Sequence, residues 1–256
     1  MTDSNFKNGV AFVAGGSGGI GAAIVEEFAR AGANVVFTYH RNEEAAKAVC
    51  KTAEAHGTRI SYRQLALHDE QATADGIAEV ASDAGGIHSV VYAAGPGIPI
   101  NFAGKIDMAD WRKTFEHDTH ACFSLVHASL PVLIGQKSGS LCAITTTQAS
   151  RHLPLSVLSS APKAAVESLL AVVAKENGRF GVRANSIRSG WLAGGKLDDG
   201  MDGQMQDKAL QEIAAQVPMK TLGRPADVAH AAVFLASSKA QYISGVNLTV
   251  DGGWCL

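Results

Sequence analysis

Residues Ala14-Gly15-Gly16-Ser17-Gly18-Gly19-Ile20-Gly21 have the composition of a phosphate cradle. They follow a β-branched run, Val10–Ala14, and open a segment of helical periodicity. Glycine at 15 and 19 permits a tight turn and close approach of the backbone to an anion. Gly21 lets a helix lie against the preceding strand, and the first N–H groups of that helix have no partner of their own. A merely flexible loop has the same composition, so the weight rests on its place between strand and helix. Other chemistry is thinner. The nine histidines contain no His-x-x-x-His pair and no nearby carboxylate cluster, so no metal site is expected. Four scattered cysteines, Cys50, Cys122, Cys142 and Cys255, include no Cys-x-x-Cys pair and read as thiols of a reduced compartment.

Seven short β-branched runs must position these groups: Val10–Ala14, Asn34–Thr38, Arg59–Leu65, Ser89–Ala93, Ser140–Thr145, Arg183–Ile187 and Asn247–Val250. Several are apolar nearly throughout, as strands covered on both faces are. Helical spacing fills the gaps. Ile20, Ile24, Phe28 and Ala31 share one face while Glu26, Glu27 and Arg30 take the other, and 164–174 and 228–235 read similarly. Strand–helix alternation predicts an α/β fold, a single domain over 1–256 with one doubly wound parallel sheet of the Rossmann type flanked by helices. Ligands of such sheets bind at the carboxyl ends of the strands. With 46% hydrophobic and 18% charged residues, the 256-residue chain can bury a large core. A net charge of −2 gives no reason to expect a nucleic-acid or membrane partner. The first residues form no apolar signal region, and no run reaches ~18 uninterrupted apolar residues, so a cytoplasmic protein is expected.

The Gly-x-x-x-Gly-x-Gly spacing at 15–21 resembles that of the short-chain dehydrogenase/reductase family, and the likeness runs through the whole chain. Ala93-Ala94-Gly95 resembles the family's Asn-Asn-Ala-Gly stretch, with Tyr92 and Ala93 in place of the two asparagines. The segment Asn185-Ser186-Ile187-Arg188-Ser189-Gly190 resembles the one that borders the nicotinamide, with Ser189 for the usual proline. Leu222-Gly223-Arg224-Pro225-Ala226-Asp227, Tyr242-Ile243-Ser244-Gly245 and Val250-Asp251-Gly252-Gly253 follow in the family's order. Within the family, 3-oxoacyl-carrier-protein reductases are the nearest in pattern. The resemblance implies a nicotinamide cofactor held by Gly15, Ser17, Gly18, Gly19, Ile20, Gly21, Leu67, Ala94, Gly95, Lys163 and Gly190.

NAD-selective members carry an acid at the end of the second strand. This chain has Tyr39-His40-Arg41-Asn42 there, with no carboxylate before Glu43. Arg41 could grip a 2′-phosphate through two N–H groups, with His40 as a further donor, or it could be an ordinary solvated loop charge. NADP(H) is the expected cofactor. After the third strand Ala66 replaces the usual adenine-contacting Asp.

In the family a tyrosine passes the proton, a lysine four residues later lowers its pKa, a serine holds the substrate oxygen and an asparagine holds a relay water. Here Lys163 is kept, at an expected helix start, but Ser159 stands for the tyrosine, Thr146 for the serine and Asp118 for the asparagine. A serine hydroxyl is a far weaker acid than a phenol and shorter. Ser159 or Ser160 could instead be the N-cap of a helix with Pro162 in its first turn. Thr146 could be an ordinary strand-end residue, and Asp118 could pair with Lys163 or sit on a solvated face. His152 could replace the acid, with Tyr92, His117 and His120 weaker candidates.

The favoured function is an NADP(H)-dependent oxidoreductase acting on a small carbonyl, alcohol or activated alkene, its proton path rebuilt around water at Asp118, Thr146 and Lys163. A catalytically weak nucleotide-binding sensor or oligomer subunit, and non-redox chemistry in the same pocket, remain alternatives. Two apolar helices, 121–133 and 164–174, together with the apolar C-terminus, predict a homotetramer. Gly194, Gly195, Gly200 and Gly203 with Asp198, Asp199 and Asp202 predict a polar loop near the substrate, followed by a helix over 204–216.

Overall fold

The first strand, β1 (Val10–Ala14), is buried along its whole length. Ala11 and Val13 enter an apolar core on one side of the sheet, while Val10, Phe12 and Ala14 enter a second core on the other. A strand with no solvent face has no use for the alternating polar residues of a half-exposed one, hence the sequence VAFVA. The same logic holds for β4 (Ile87–Tyr92) and β5 (Gly139–Thr146), which are nearly as buried. The computed structural model describes residues 6, 8–194 and 203–256, with the side chains of 203–207 left out.

With β2 (Val35–Tyr39), β3 (Ile60–Gln64), β6 (Val182–Ser189) and β7 (Asn247–Val250), these strands form one parallel sheet in the order β3-β2-β1-β4-β5-β6-β7. Helices α1 (Gly19–Arg30), α2 (Glu43–Glu54) and α8 (Pro225–Ala236) contribute to the core on one face. The other face takes α3 (Glu70–Ala84), α5 (Ala121–Gly135) and α6 (Val157–Asn177). This is the doubly wound α/β arrangement. Its strand order reverses between β1 and β4, and the crevice at their carboxyl ends is where such sheets bind ligands. A short α4 (Met108–Phe115) runs into α5 through one π-helical turn, Glu116–His120, and α7 spans Gly203–Gln216.

The strands lie where the periodicity puts them, to within a residue or two. Two ends shift by two residues: β6 runs on to Ser189, and β4 begins at Ile87 rather than Ser89 because His88 is a strand residue in spite of its polarity. Its ring is stacked on Phe6 with centroids 5.0 Å apart, and its Nδ1 lies 2.8 Å from Ser89 Oγ. Helix α7 starts one residue before the expected 204. Gly195, Asp198, Asp199, Gly200 and Asp202 of the expected polar loop lie outside the described residues.

Helix α6 departs most from expectation. It begins at Val157, so neither Ser159 nor Ser160 is its N-cap and Pro162 lies inside it. Ser156 takes the cap position: its carbonyl accepts the N–H groups of Ser159 and Ser160 at 2.9 and 2.8 Å, and the Ser160 hydroxyl at 3.0 Å. Pro162 gives up one helix bond. Burial of Leu158 and Pro162, and of Val166 one turn on, offsets that loss. Lys163 therefore sits in the second turn of a formed helix rather than at its start. By length and composition, residues 157–180 could also cross a membrane, but α6 packs along β5 and β6.

Candidate nucleotide and active site

Ser17 and the glycines of the β1–α1 turn sit at the crevice. Gly15 has φ +79°, and a side chain there would come within 2.8 Å of the Ala94 backbone beyond β4. A Cβ on Gly21 would reach 2.1 Å from the Gly15 carbonyl. These two glycines are demanded by the chain's own packing. Gly19 is not: a Cβ there meets nothing within 4 Å. Gly18 holds the N-cap position of α1 with no side-chain cap, so the first N–H groups of the helix have no side-chain acceptor there, and Gly18 and Gly19 are exposed. An exposed helix start of this kind fits the pyrophosphate of a dinucleotide. Thr38, which the sequence alone did not single out, pins the loop: its Oγ1 accepts the Gly15 N–H at 3.0 Å, and it is fully buried at the end of β2.

His40 and Arg41 follow β2 and are exposed. The nearby Glu43 and Glu44 pair with Lys47, which leaves Arg41 without a carboxylate among the described residues. Leu67 is buried, and with Ala66, Ala94 and Gly95 it lines a small pocket of about 120 Å³. His40, His68 and His117 line the same pocket. Gly190 is explained by packing, since a side chain there would lie 2.7 Å from Asp251 Cα, and its N–H bonds the Val250 carbonyl at 2.9 Å.

The tertiary structure brings Lys163 and Asp118 together from α6 and the π-turn. Nζ lies 2.8 Å from Asp118 Oδ1, and both side chains are largely buried. Asp118 thus takes the paired alternative, not the solvated one. Nζ also lies 5.5 Å from the Tyr92 ring centroid and faces Gly95, where a Cβ would come within 3.9 Å of it. Tyr92 is not a free acid. It is buried, its hydroxyl donates to the His117 carbonyl at 3.1 Å, and burial followed by the nearby Asp118 pushes its pKa well above the usual phenol range. Thr146 ends β5, and its Oγ1 accepts the Gln148 N–H at 3.2 Å.

Ser159 lines a larger cleft of about 820 Å³ whose walls include Ile98, Ile100, Leu155 and Trp191. Gln148 lines it as well and has a buried Oε1 without a hydrogen-bond partner. Leu155 holds the left-handed φ of 68°, uncommon for leucine and frequent at ligand clamps. His152 borders this segment but does not line the cleft. It is exposed, with Nδ1 3.1 Å from the Gln148 carbonyl. His117 and His120 flank Asp118 as expected, His120 on the exposed side. Gln148, Trp191 and the 98–100 stretch carry no sequence signal beyond following strands, because their convergence depends on how three loops fold over the sheet.

Residues 14–255 match the family described as enoyl-(acyl carrier protein) reductase. The chain is 33% identical over 245 residues to the 2,5-dichloro-2,5-cyclohexadiene-1,4-diol dehydrogenase of Sphingobium indicum, covering 96% of this chain and 95% of that protein. A short-chain type dehydrogenase/reductase from Mycobacterium ulcerans superposes with a TM-score of 0.90 at 27% identity, over 98% of this chain and 91% of the other. A xylitol dehydrogenase with bound NAD+ shares the fold, with a TM-score of 0.87 at 19% identity over 96% and 98% of the two chains.

Proposed function

The chain is a member of the short-chain dehydrogenase/reductase family, and from that premise we propose that it is an NADP(H)-dependent oxidoreductase of a small, largely apolar carbonyl compound, alcohol or activated alkene. The observation that carries this reading is the Lys163–Asp118 pair, held 2.8 Å apart next to Gly95 at the crevice of the sheet. A lysine ammonium fixed there can bind the ribose of a dinucleotide laid along the Gly15–Gly21 cradle. Arg41, free of carboxylates, supports the 2′-phosphorylated form over NAD(H). The apolar cleft walls suit a neutral substrate, as does the cyclic diol named for the relative from Sphingobium.

A bound nicotinamide supplies hydride to the substrate carbon, or accepts it in the reverse direction. The chain must then deliver or remove the proton on oxygen. Thr146 Oγ1 accepts from the Gln148 N–H and keeps its own proton to donate to the substrate oxygen. Lys163 holds a proton at Nζ against Asp118. The short Ser159 leaves room for a water between that ammonium and the oxygen. As the C=O π bond breaks, the proton passes from Nζ through the water to oxygen, and solvent restores it at Lys163. Asp118, Thr146, Ser159 and Lys163 are the residues of this path.

The protein works as a homotetramer in the cytoplasm on this reading. Phe123 on α5 and Val172 on α6 are each 52% exposed, which supports helix pairing between subunits. The C-terminus contributes less than the sequence suggested. Trp254 is buried within its own chain under the Arg151 guanidinium, 4.4 Å from its ring, and only Leu256 is fully exposed. All four cysteines are free thiols, consistent with a reducing compartment.

Rapid mixing with NADPH and a panel of neutral carbonyl compounds tests the assignment through decay of the reduced-cofactor absorbance. Tight cofactor binding with no turnover of any substrate would favour a nucleotide-binding protein instead. Titration of Arg41→Ala should weaken NADPH by roughly 10- to 100-fold, the range for loss of a charge-assisted hydrogen bond, and leave NADH unchanged.

A further inference from the structure

At the nucleotide end of the crevice three imidazoles stand in a row. His40 follows β2, His68 precedes α3 and His117 lies on the π-turn. The rings of His40 and His68 meet edge to face with centroids 6.3 Å apart. Those of His68 and His117 are stacked nearly parallel at 4.6 Å and 10°. Backbone anchors hold both ends. The His40 carbonyl accepts from Gln64 Nε2 at 2.8 Å, and the His117 carbonyl accepts the Tyr92 hydroxyl. Among the described residues no group of three His, Cys, Asp or Glu is placed to hold a metal ion.

We infer that His68 and His117 are specificity residues for the cofactor, which with His40 and Arg41 read the 2′-phosphate of NADP(H) and take up a proton when it binds. The inference rests on the NADP(H) reading and deepens it. Two stacked imidazoles this close cannot both be cations without strong repulsion. The ring on the π-turn, His117, is the one that stays neutral. His117 Nδ1 is buried without a partner, and burial lowers its pKa, as do His68, Lys113 and His40, with only Glu116 opposing. The single proton that the row can carry therefore belongs on His40 or His68, both exposed, of which His40 is Arg41's neighbour in the chain. Few other charges compete there. Asp69, next to His68, is engaged as the N-cap of α3, and the pocket's walls from β4 and α5 are Ala94, Gly95, Pro96 and Ala121. A phosphate dianion at this loop would draw that proton onto His68 or His40.

The test is the affinity of NADPH and NADH for the full-length protein between pH 6.2 and 8. Calorimetry in two buffers of different ionisation enthalpy counts the protons taken up. NADPH should bind about five- to tenfold more tightly at the acid end, with net proton uptake, while NADH stays flat. His68→Phe keeps a ring in the stack but cannot take a proton, and it should reduce the slope of the NADPH profile; His117→Phe, which removes a ring that carries no proton, should leave the slope in place. An NADPH preference that does not change with pH, or a His68→Phe profile identical to wild type, overturns the inference and leaves the NADP(H) reading standing. A matching pH response for NADH shows the row contacts the shared adenosine and also overturns it. Equal affinities for the two cofactors at every pH remove the NADP(H) reading and the inference together.

Discussion

On the proposed reading Ser159 stands where the family carries its tyrosine. It lies in the first turn of α6, bonded through its N–H to Ser156, and it borders the cleft one turn before the buried Lys163–Asp118 pair. The lysine is thus held by a carboxylate rather than left to depend on a phenol for its position. If a phenol is what the proton path lacks, Ser159→Tyr should raise turnover of simple ketones by roughly 10²- to 10⁴-fold, the usual worth of general acid catalysis, with cofactor affinity unchanged. Steady-state kinetics of both proteins on one ketone measure this. Brisk wild-type turnover that the tyrosine abolishes would mean that the space around Ser159 houses a different acid. His152 is not placed for that role, because it does not line the cleft and its Nδ1 lies against the Gln148 carbonyl.

Among the elements, the β1–α1 turn holds glycines that the fold needs beside one that it does not. Gly21 lies so close to the Gly15 carbonyl that alanine would break the strand–helix contact, and Gly21→Ala should lower the thermal midpoint measurably. Gly19 is surrounded by open space and holds an ordinary backbone conformation at the start of α1. Alanine there should leave the thermal midpoint unchanged or slightly raised, since it is the better helix former. The methyl group would nevertheless stand between the helix start and a pyrophosphate. Fluorescence titration should find NADPH affinity reduced on the order of tenfold, equivalent to about 1.4 kcal/mol. Unaltered affinity would move the phosphate away from this helix.

For the molecule as a whole, two expectations concern stability and assembly. His88 is buried against Phe6, and burial lowers its pKa from 6.5 to about 4. The folded state thus resists a proton that the unfolded chain accepts. The stability tied to His88 is complete above pH 6.5 and is lost as the pH falls from 6.5 toward 4, a change on the order of 3 kcal/mol. Urea unfolding at pH 7 and pH 5 should show the loss, and His88→Asn should reduce the slope. In assembly, light scattering at micromolar concentration should give a tetrameric mass. Aspartate at both Phe123 and Val172 should reduce it by charging the exposed faces of α5 and α6. A monomeric wild type would refute the assembly.

The amino-acid sequence by itself determined the fold class, the position of all seven strands to within a residue or two, and the glycine-rich turn between β1 and α1. These rest on local signals: two-faced strands are continuously apolar, helices repeat every three or four residues, and a glycine turn between them has few other uses. It also placed Lys163, Asp118, Thr146 and Ser159 in sequence order, but not in relation to one another. Only the tertiary structure decided that Asp118 faces Lys163, because the two lie 45 positions apart and meet through the packing of the π-turn on α6. It decided equally that α6 begins at Val157, where burial of Leu158 and Pro162 overrides the local preference of a proline for a helix's first turn. The row of His40, His68 and His117 was illegible for the same reason. Three histidines on three separate segments form no pattern along the chain until the parallel sheet sets the ends of its strands side by side.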